Sequence, residues 1–250
     1  MRQQRARRIA FAALGLFGLG LVWQAGYFAA GPFVLPEPVD TFRFLLTLIR
    51  DGTLWHPVTI TTANVLVGYG LGAAVGLLLG FAGGAITDLG GALEPVSTLI
   101  LGVPPIAWIV LSLLWFGPDG ITPPLNVAIG TAPIVFAATL AGMRAAAPEF
   151  DELAAAFGAR TRQRLIEIHV PQVSRALVPA LAISLGLAWK MAVMVEVLSG
   201  GRGIGGRIAD ARSHLDMTET MAWILVALVL LLATDRLLAK IARIEQTHAG

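Results

Sequence analysis

Six long apolar runs constrain this chain more than any other feature. They fall at about residues 9–30, 58–84, 97–117, 124–143, 176–198 and 220–240. A helix rises about 1.5 Å per residue, so about 20 apolar residues cross a hydrocarbon core roughly 30 Å thick. Together the runs occupy more than half of the 250 residues and leave little for a separate soluble domain. Composition points the same way: 14% of residues are charged and mean hydropathy is +0.75, whereas an ordinary soluble domain is about 25% charged. The expected fold is an all-α polytopic membrane protein with about six transmembrane helices. A disordered chain, a disulfide scaffold and an ordinary soluble enzyme are excluded.

The distribution of cations orients the spans. With the N-terminus in the cytoplasm, the inside holds Arg2, Arg5, Arg7 and Arg8, then Arg144, Arg160, Arg162, Arg164 and Arg175, then Arg236, Lys240 and Arg243. The outside holds only Arg43, Arg50, Arg202, Arg207 and Arg212. This bias predicts both termini on the cytoplasmic side. The first apolar run, about 22 residues, exceeds the roughly 7–15 of a signal-peptide core, so it is read as an uncleaved span. The net charge of +2 is too balanced to suggest nucleic acid. With no Cys and four scattered His, a protein metal site is not expected.

Two segments that do not span carry information. In residues 38–50, Phe42, Leu45, Leu46 and Ile49 share one helical face, which predicts a helix along the outer membrane surface or a solvated connector. The cytoplasmic segment 144–175 reads as two short helices. Pro148 opens the first, with Glu149, Asp151 and Glu152 in its first turn, where acids meet the positive end of the helix dipole. Gly158 stands where a C-terminal cap needs positive φ, and Pro171 stops the second helix. Physics alone allows either a protein-docking elbow or an amphipathic elbow on lipid headgroups.

Glu152, Ala154, Gly158, Ile168 and Pro171 have the spacing of the EAA loop and resemble that motif of ABC-importer permeases; Leu153 and Val170 replace its usual Ala and Leu. LPEPVDTFRFLL, VPPIAWIVLSLLWFG and GLAWKMAVMVEVLSGGRGIGGRI follow in order, so nearly the whole chain is similar to the nitrate, sulfonate and taurine importer group. The resemblance implies a bacterial inner-membrane permease subunit. Residues 1–57 would hold the basic N-terminus, an anchor span and the outer amphipathic segment. Residues 58–250 would form the five-span core with the coupling loop at 144–175. It further implies a homodimer, a separate pair of ATP-binding subunits carrying ATP and Mg, and a periplasmic or lipid-anchored solute-binding protein. The cargo would be a small anion, and this chain would bind no cofactor and catalyse nothing. Consistent with that, it contains no G-x-x-x-x-G-K-[ST], the phosphate loop of ATPases.

Several residues are candidates for the translocation pathway or its gate. Lys190 and Glu196 are ionisable groups within the fifth run, and such groups are costly at membrane depth. They lie about 240° apart around a helix and do not form a simple intrahelical pair. Glu196 resembles the acidic residue of the family's Ala-Glu pair, although Val195 stands where Ala is usual, and it is read as serving a gate or the structure rather than touching the solute. Pro104, Pro105, Trp108, Ser112 and Trp115 mark the third run as a pathway wall or a kinked packing helix. Thr59, Thr61, Thr62 and Asn64 are read chiefly as hydrogen-bonding partners of neighbouring helices. Gly201, Gly203 and Gly206 satisfy G-x-G-x-x-G, but no strand precedes them, so they are expected to form an outer turn rather than a nucleotide site. The competing functional class is a self-sufficient secondary transporter, which would need its own coupling-ion sites and has no use for an ATPase-docking loop. An intramembrane enzyme would need a nucleophile with its base, and neither Cys, G-x-S-x-G nor paired His is present.

Overall fold

The computed structural model describes residues 2–118, 120–145, 156–158, 163, 167 and 170–248. Among them, nine α-helices follow in order: α1 Arg2–Ala30, α2 Pro38–Arg50, α3 Trp55–Ala85, α4 Thr87–Gly102, α5 Pro105–Phe116, α6 Thr122–Arg144, α7 Val170–Ser199, α8 Ile204–Ser213 and α9 Met217–His248. Within α1, α3, α6, α7 and α9 lie stretches long and apolar enough to cross a membrane, and α4 with α5 passes the same test as a bent pair. Large apolar side chains such as Leu14, Leu66, Leu78, Leu114 and Ile183 are exposed on the outside of the bundle, as a lipid-facing surface requires.

The centre is built on glycines spaced by four. Gly68, Gly72, Gly76 and Gly80 form one stripe of α3 and lie directly against the backbone of α6. A Cβ on Gly76 would come within 2.5 Å of the Ala132 carbonyl oxygen and 2.8 Å of Val135 Cβ, and one on Gly72 within 2.8 Å of the Ala128 oxygen. Contacts advance together along both helices, so α3 and α6 run parallel. Helix α7 then closes the core. Val65 of α3, Val127 of α6, and Ala188, Trp189, Met191 and Ala192 of α7 form its buried cluster. At the end that carries α8, a second cluster joins Leu48 of α2 and Leu54 to Ile204 of α8 and to Trp223 and Val226 of α9. There Arg207 lies over the buried Trp223, whose indole donates to Glu219 at 3.1 Å.

The third apolar run is not the continuous span expected at 97–117. It belongs to α4 and α5, which meet at a 92° bend around Val103 and Pro104. The pair still carries the chain from one end of the bundle to the other. Glu94 of α4 pairs with Arg144 at the far end of α6, at 3.0 Å, while Pro118 and Gly120, just after α5, line the same cavity as Glu196, near the opposite end of α7. The expected outer loop 199–219 is also corrected, because about half of it is α8. On α2 the packed stripe is Thr41, Leu45 and Leu48, while Phe42, Leu46 and Ile49 are exposed. The predicted face is thus split between protein and surroundings. Helix α1 stands apart from the bundle, tied by the Trp23 indole to the Pro36 carbonyl at 3.0 Å and by its ring against Phe42.

The glycine stripe makes a direct prediction. Gly76→Ala should destabilise the purified protein by about 1–3 kcal/mol, because the methyl meets backbone that cannot swing aside. Gly70→Ala, on an open face of the same helix, should leave the melting temperature nearly unchanged.

Candidate functional site

Glu196 is 1% exposed, three residues from the end of α7. A buried carboxylate needs either a cation or several donors. Here it has donors. The Thr61 hydroxyl donates to Oε2 at 2.7 Å, the Gly205 N–H to the same oxygen at 3.1 Å, and the Asn64 amide to Oε1 at 3.0 Å. Thr61 in turn accepts the Ile204 N–H at 2.9 Å. Ile204 and Gly205 are the first two residues of α8, whose N-cap, Gly203, has no side chain to offer. Glu196 therefore caps α8 from a different helix, directly through Gly205 and through the Thr61 hydroxyl for Ile204. The positive end of the α8 dipole adds to the attraction.

The glycine-rich turn exists to allow this approach. Gly200 ends α7 in the left-handed region (φ +66°), and the Gly201 N–H returns to the Glu196 carbonyl, the closing pattern of a glycine-terminated helix. A Cβ on Gly203 would fall onto the Glu196 carboxylate, and one on Gly205 would lie 2.6 Å from Glu196 Cβ. G-x-G-x-x-G motifs bring a phosphate to a helix N-terminus by the same physics. In this chain the anion at that terminus is the protein's own carboxylate. A cavity of about 370 Å³ opens beside it, lined by Ile60 and Asn64 of α3, Pro123 of α6, Glu196, and Arg202 of the turn.

The expectation that Thr61 and Asn64 hydrogen-bond a neighbouring helix holds. Thr59 and Thr62 instead donate to carbonyls of their own helix, those of His56 and Val58. What the sequence reading missed is that Thr61, Asn64 and Gly205 converge on one carboxylate, with Ile204 joined to it through Thr61. The three-residue spacing of Thr61 and Asn64, with the acid before a glycine-rich turn, was the available signal. Lys190 does not reach this cluster. It is exposed on α7, and among the described residues it has no hydrogen-bond or ion-pair partner.

Pro104 and Pro105 sit at the α4–α5 bend, where the lack of a Pro104 N–H would orphan the Ile100 carbonyl. The Trp108 indole donates to that carbonyl at 3.3 Å. One turn further on, Ser112 is buried and accepts the Asn126 amide of α6. These four residues build and anchor the bend, and Ser112 faces α6 rather than the cavity. In the cytoplasmic segment, Gly158 has φ +71° with open space around it, and Phe157 beside it is 84% exposed. Pro171 lies at the start of α7. Glu152, Ala154 and Ile168, with both predicted short helices, lie outside the described residues. Among the described residues no cluster of His, Asp and Glu could hold a metal ion.

Residues 72–243 match a family described as "Binding-protein-dependent transport system inner membrane component". A Bacillus subtilis permease named for aliphatic sulfonate transport is 28% identical over 216 residues, 86% of this chain and 78% of that protein. The nitrate import permease of Synechococcus elongatus is 31% identical over 202 residues, 76% of this chain and 72% of its own. A chain of an amino acid ABC transporter crystallised with histidines has the same fold, with a TM-score of 0.62 at 18% identity; the likeness covers 80% of this chain and 97% of that one.

The Trp108 contact can be tested alone. Trp108→Phe keeps the ring but leaves the Ile100 carbonyl unpaired, and should cost about 1 kcal/mol of stability. Trp115→Phe, at an exposed position, should have little effect on the melting temperature in the same assay.

Proposed function

The chain belongs to the family of inner membrane components of binding-protein-dependent transport systems, and on that premise we propose how it couples to ATP and where its solute passes. It is a multi-pass permease subunit of an ABC importer. The segment 144–175 is the coupling loop: Glu152, Ala154 and Gly158 form the helix seated in a separate ATP-binding subunit, and Ile168 and Pro171 fix the return to α7. The observation that carries this reading is Gly158. Its positive φ and the bare, exposed Phe157 next to it suit a tight turn presented to a partner, and its place in the motif spacing supports an ATPase as that partner.

Two copies of this chain would enclose the path, with two ATP-binding subunits carrying ATP and Mg on the cytoplasmic side. A periplasmic or lipid-anchored solute-binding protein would deliver a small anion of the sulfonate, nitrate or taurine kind. Both chain termini would be cytoplasmic, in line with the distribution of cations. ATP drives such a cycle only by favouring one arrangement of the spans over the other. The α4–α5 bend with Pro104 and Pro105 forms part of the pathway wall, and Trp108 and Ser112 hold its angle. Lys190 faces the path, because an exposed cation about 14 Å from the end of α7 is costly against lipid and favourable beside an anion or water. Glu196 belongs to the outer gate. A secondary transporter leaves the loop without a purpose.

The decisive experiment is co-purification with the ATP-binding subunit, comparing wild type with Gly158→Arg. The variant should lose the complex, or keep it and lose stimulation of ATP hydrolysis by the solute-binding protein, while the membrane bundle stays folded. Normal association and normal stimulation would refute the coupling role. Separately, Lys190→Met should reduce uptake at least tenfold without weakening assembly with the ATPase, and Lys190→Arg should retain most uptake. Equal uptake by Lys190→Met and wild type would remove Lys190 from the path.

A further inference from the structure

Three elements converge on Glu196 at this end of the bundle. Helix α3 supplies Thr61 and Asn64, α7 supplies the carboxylate, and α8 supplies the N–H groups of Ile204 and Gly205. The same elements form most of the cavity wall, with Ile60 and Asn64 on one side and the turn carrying Arg202 and Gly203 on another. The distance between α3 and the α7–α8 hairpin therefore bears on the width of the cavity, and the Glu196 contact bridges that distance at the cavity wall. Every group in the contact is fully used in one direction: three donors point at one carboxylate, which among the described residues pairs with no cation. Such a contact is strong when assembled, yet it can be released as a unit, because Thr61, Asn64 and the α8 N-terminus can each bond to water once the cavity opens.

We propose that Glu196 is a positioning residue for opening: it latches α3 to the α7–α8 hairpin through Thr61, Asn64 and the α8 N-terminus, and release of the latch widens the cavity. The proposal rests on reading the cavity as the outer end of the solute path, and it gives the outer gate a mechanical part. Glu196 acts on α3 and α8 and does not touch the solute. Glutamine weakens the contact: with its carbonyl oxygen toward Thr61 and Gly205, its NH2 faces Asn64, whose amide must turn over to accept, and the charge that strengthens all three hydrogen bonds is lost. Thr61→Val breaks the relay to Ile204, whereas Thr61→Ser keeps the hydroxyl.

The native chain has no cysteine, so a single Ile60→Cys reports the cavity without background. The full-length protein, reconstituted in lipid nanodiscs, is treated with a water-soluble maleimide and the labelling rate at position 60 is measured. Adding Glu196→Gln or Thr61→Val should raise that rate on the order of tenfold, the effect of removing one hydrogen bond to a charged group. Adding Thr61→Ser should leave it at the wild-type rate. A second reporter, Ile183→Cys on the exposed face of α7, should stay unlabelled throughout. Unchanged labelling at 60 in the folded variants would overturn the latch. A parallel rise at 60 and 183 would overturn it too, by showing general loosening. The measurement uses neither ATPase nor binding protein, so it can fail while the importer reading stands, and can succeed if that reading falls.

Discussion

Close approach of α3 to α6 is the interaction on which the rest of the bundle depends. In lipid, apolar side chains gain little by leaving one another's company, so helices associate through tight packing and polar contacts. Gly68, Gly72, Gly76 and Gly80 bring the α3 backbone directly onto carbonyls of α6, which maximises dispersion contacts along several turns. The resulting parallel pair offers one groove, and Trp189, Met191 and Ala192 of α7 fill it. Everything else is added to that trio. The α4–α5 bend hangs on α6 through Ser112 and Asn126, and α8 hangs on α3 and α7 through Glu196. Among the described residues no ion pair is fully buried in the interior.

The Glu196 cluster shows how a membrane protein can bury an acid without a buried base. A lysine partner would bring a second ion out of water, and that desolvation often cancels the attraction between the pair. Neutral donors avoid the second cost. A helix N-terminus is an economical source of them, because its first N–H groups need acceptors in any case. The carboxylate and α8 therefore solve each other's problem. The solution requires a bare backbone at Gly203 and Gly205, which accounts for the glycine-rich turn.

Much of this was legible in the sequence, and the unread part has a physical cause. Hydropathy located every crossing to within a few residues at most ends, since the bilayer fixes length and composition together. The Pro104–Pro105 pair announced a disturbance in the third run. Its size, 92°, depends on Trp108 capturing the freed carbonyl and on Ser112 meeting α6, neither of which local sequence encodes. The four-residue spacing of glycines in α3 was visible, yet spacing names a face and not the helix that will meet it. On α2, periodicity gave an apolar face, but tertiary packing took only Leu45 of it and joined it to Thr41 and Leu48. Glu196 was recognisable as costly. Its partners were not, because one is the main-chain N–H of Gly205 and the others lie about 130 residues away.

The segment between α6 and α7 gains leverage from how those two helices are joined. Gly142, near the end of α6, packs so closely on Val173 that a Cβ there would lie 2.6 Å from its Cα. Further along, Gly130 faces Met191 in ordinary contact. Packed near both ends, α6 and α7 resist sliding or splaying and move together as one body, because dense interiors transmit displacement instead of absorbing it. At their far ends the same helices carry Pro123 and Glu196, both facing the cavity. Helix α6 alone is about 34 Å long, so a small tilt imposed at the segment between them becomes a shift of several ångströms at that end. That shift bears on hydrogen bonds of 2.7–3.1 Å around Glu196, which weaken steeply when stretched. In the proposed importer, the ATPase end and the outer end are therefore connected by a stiff helix pair that ends in a contact with little tolerance for displacement.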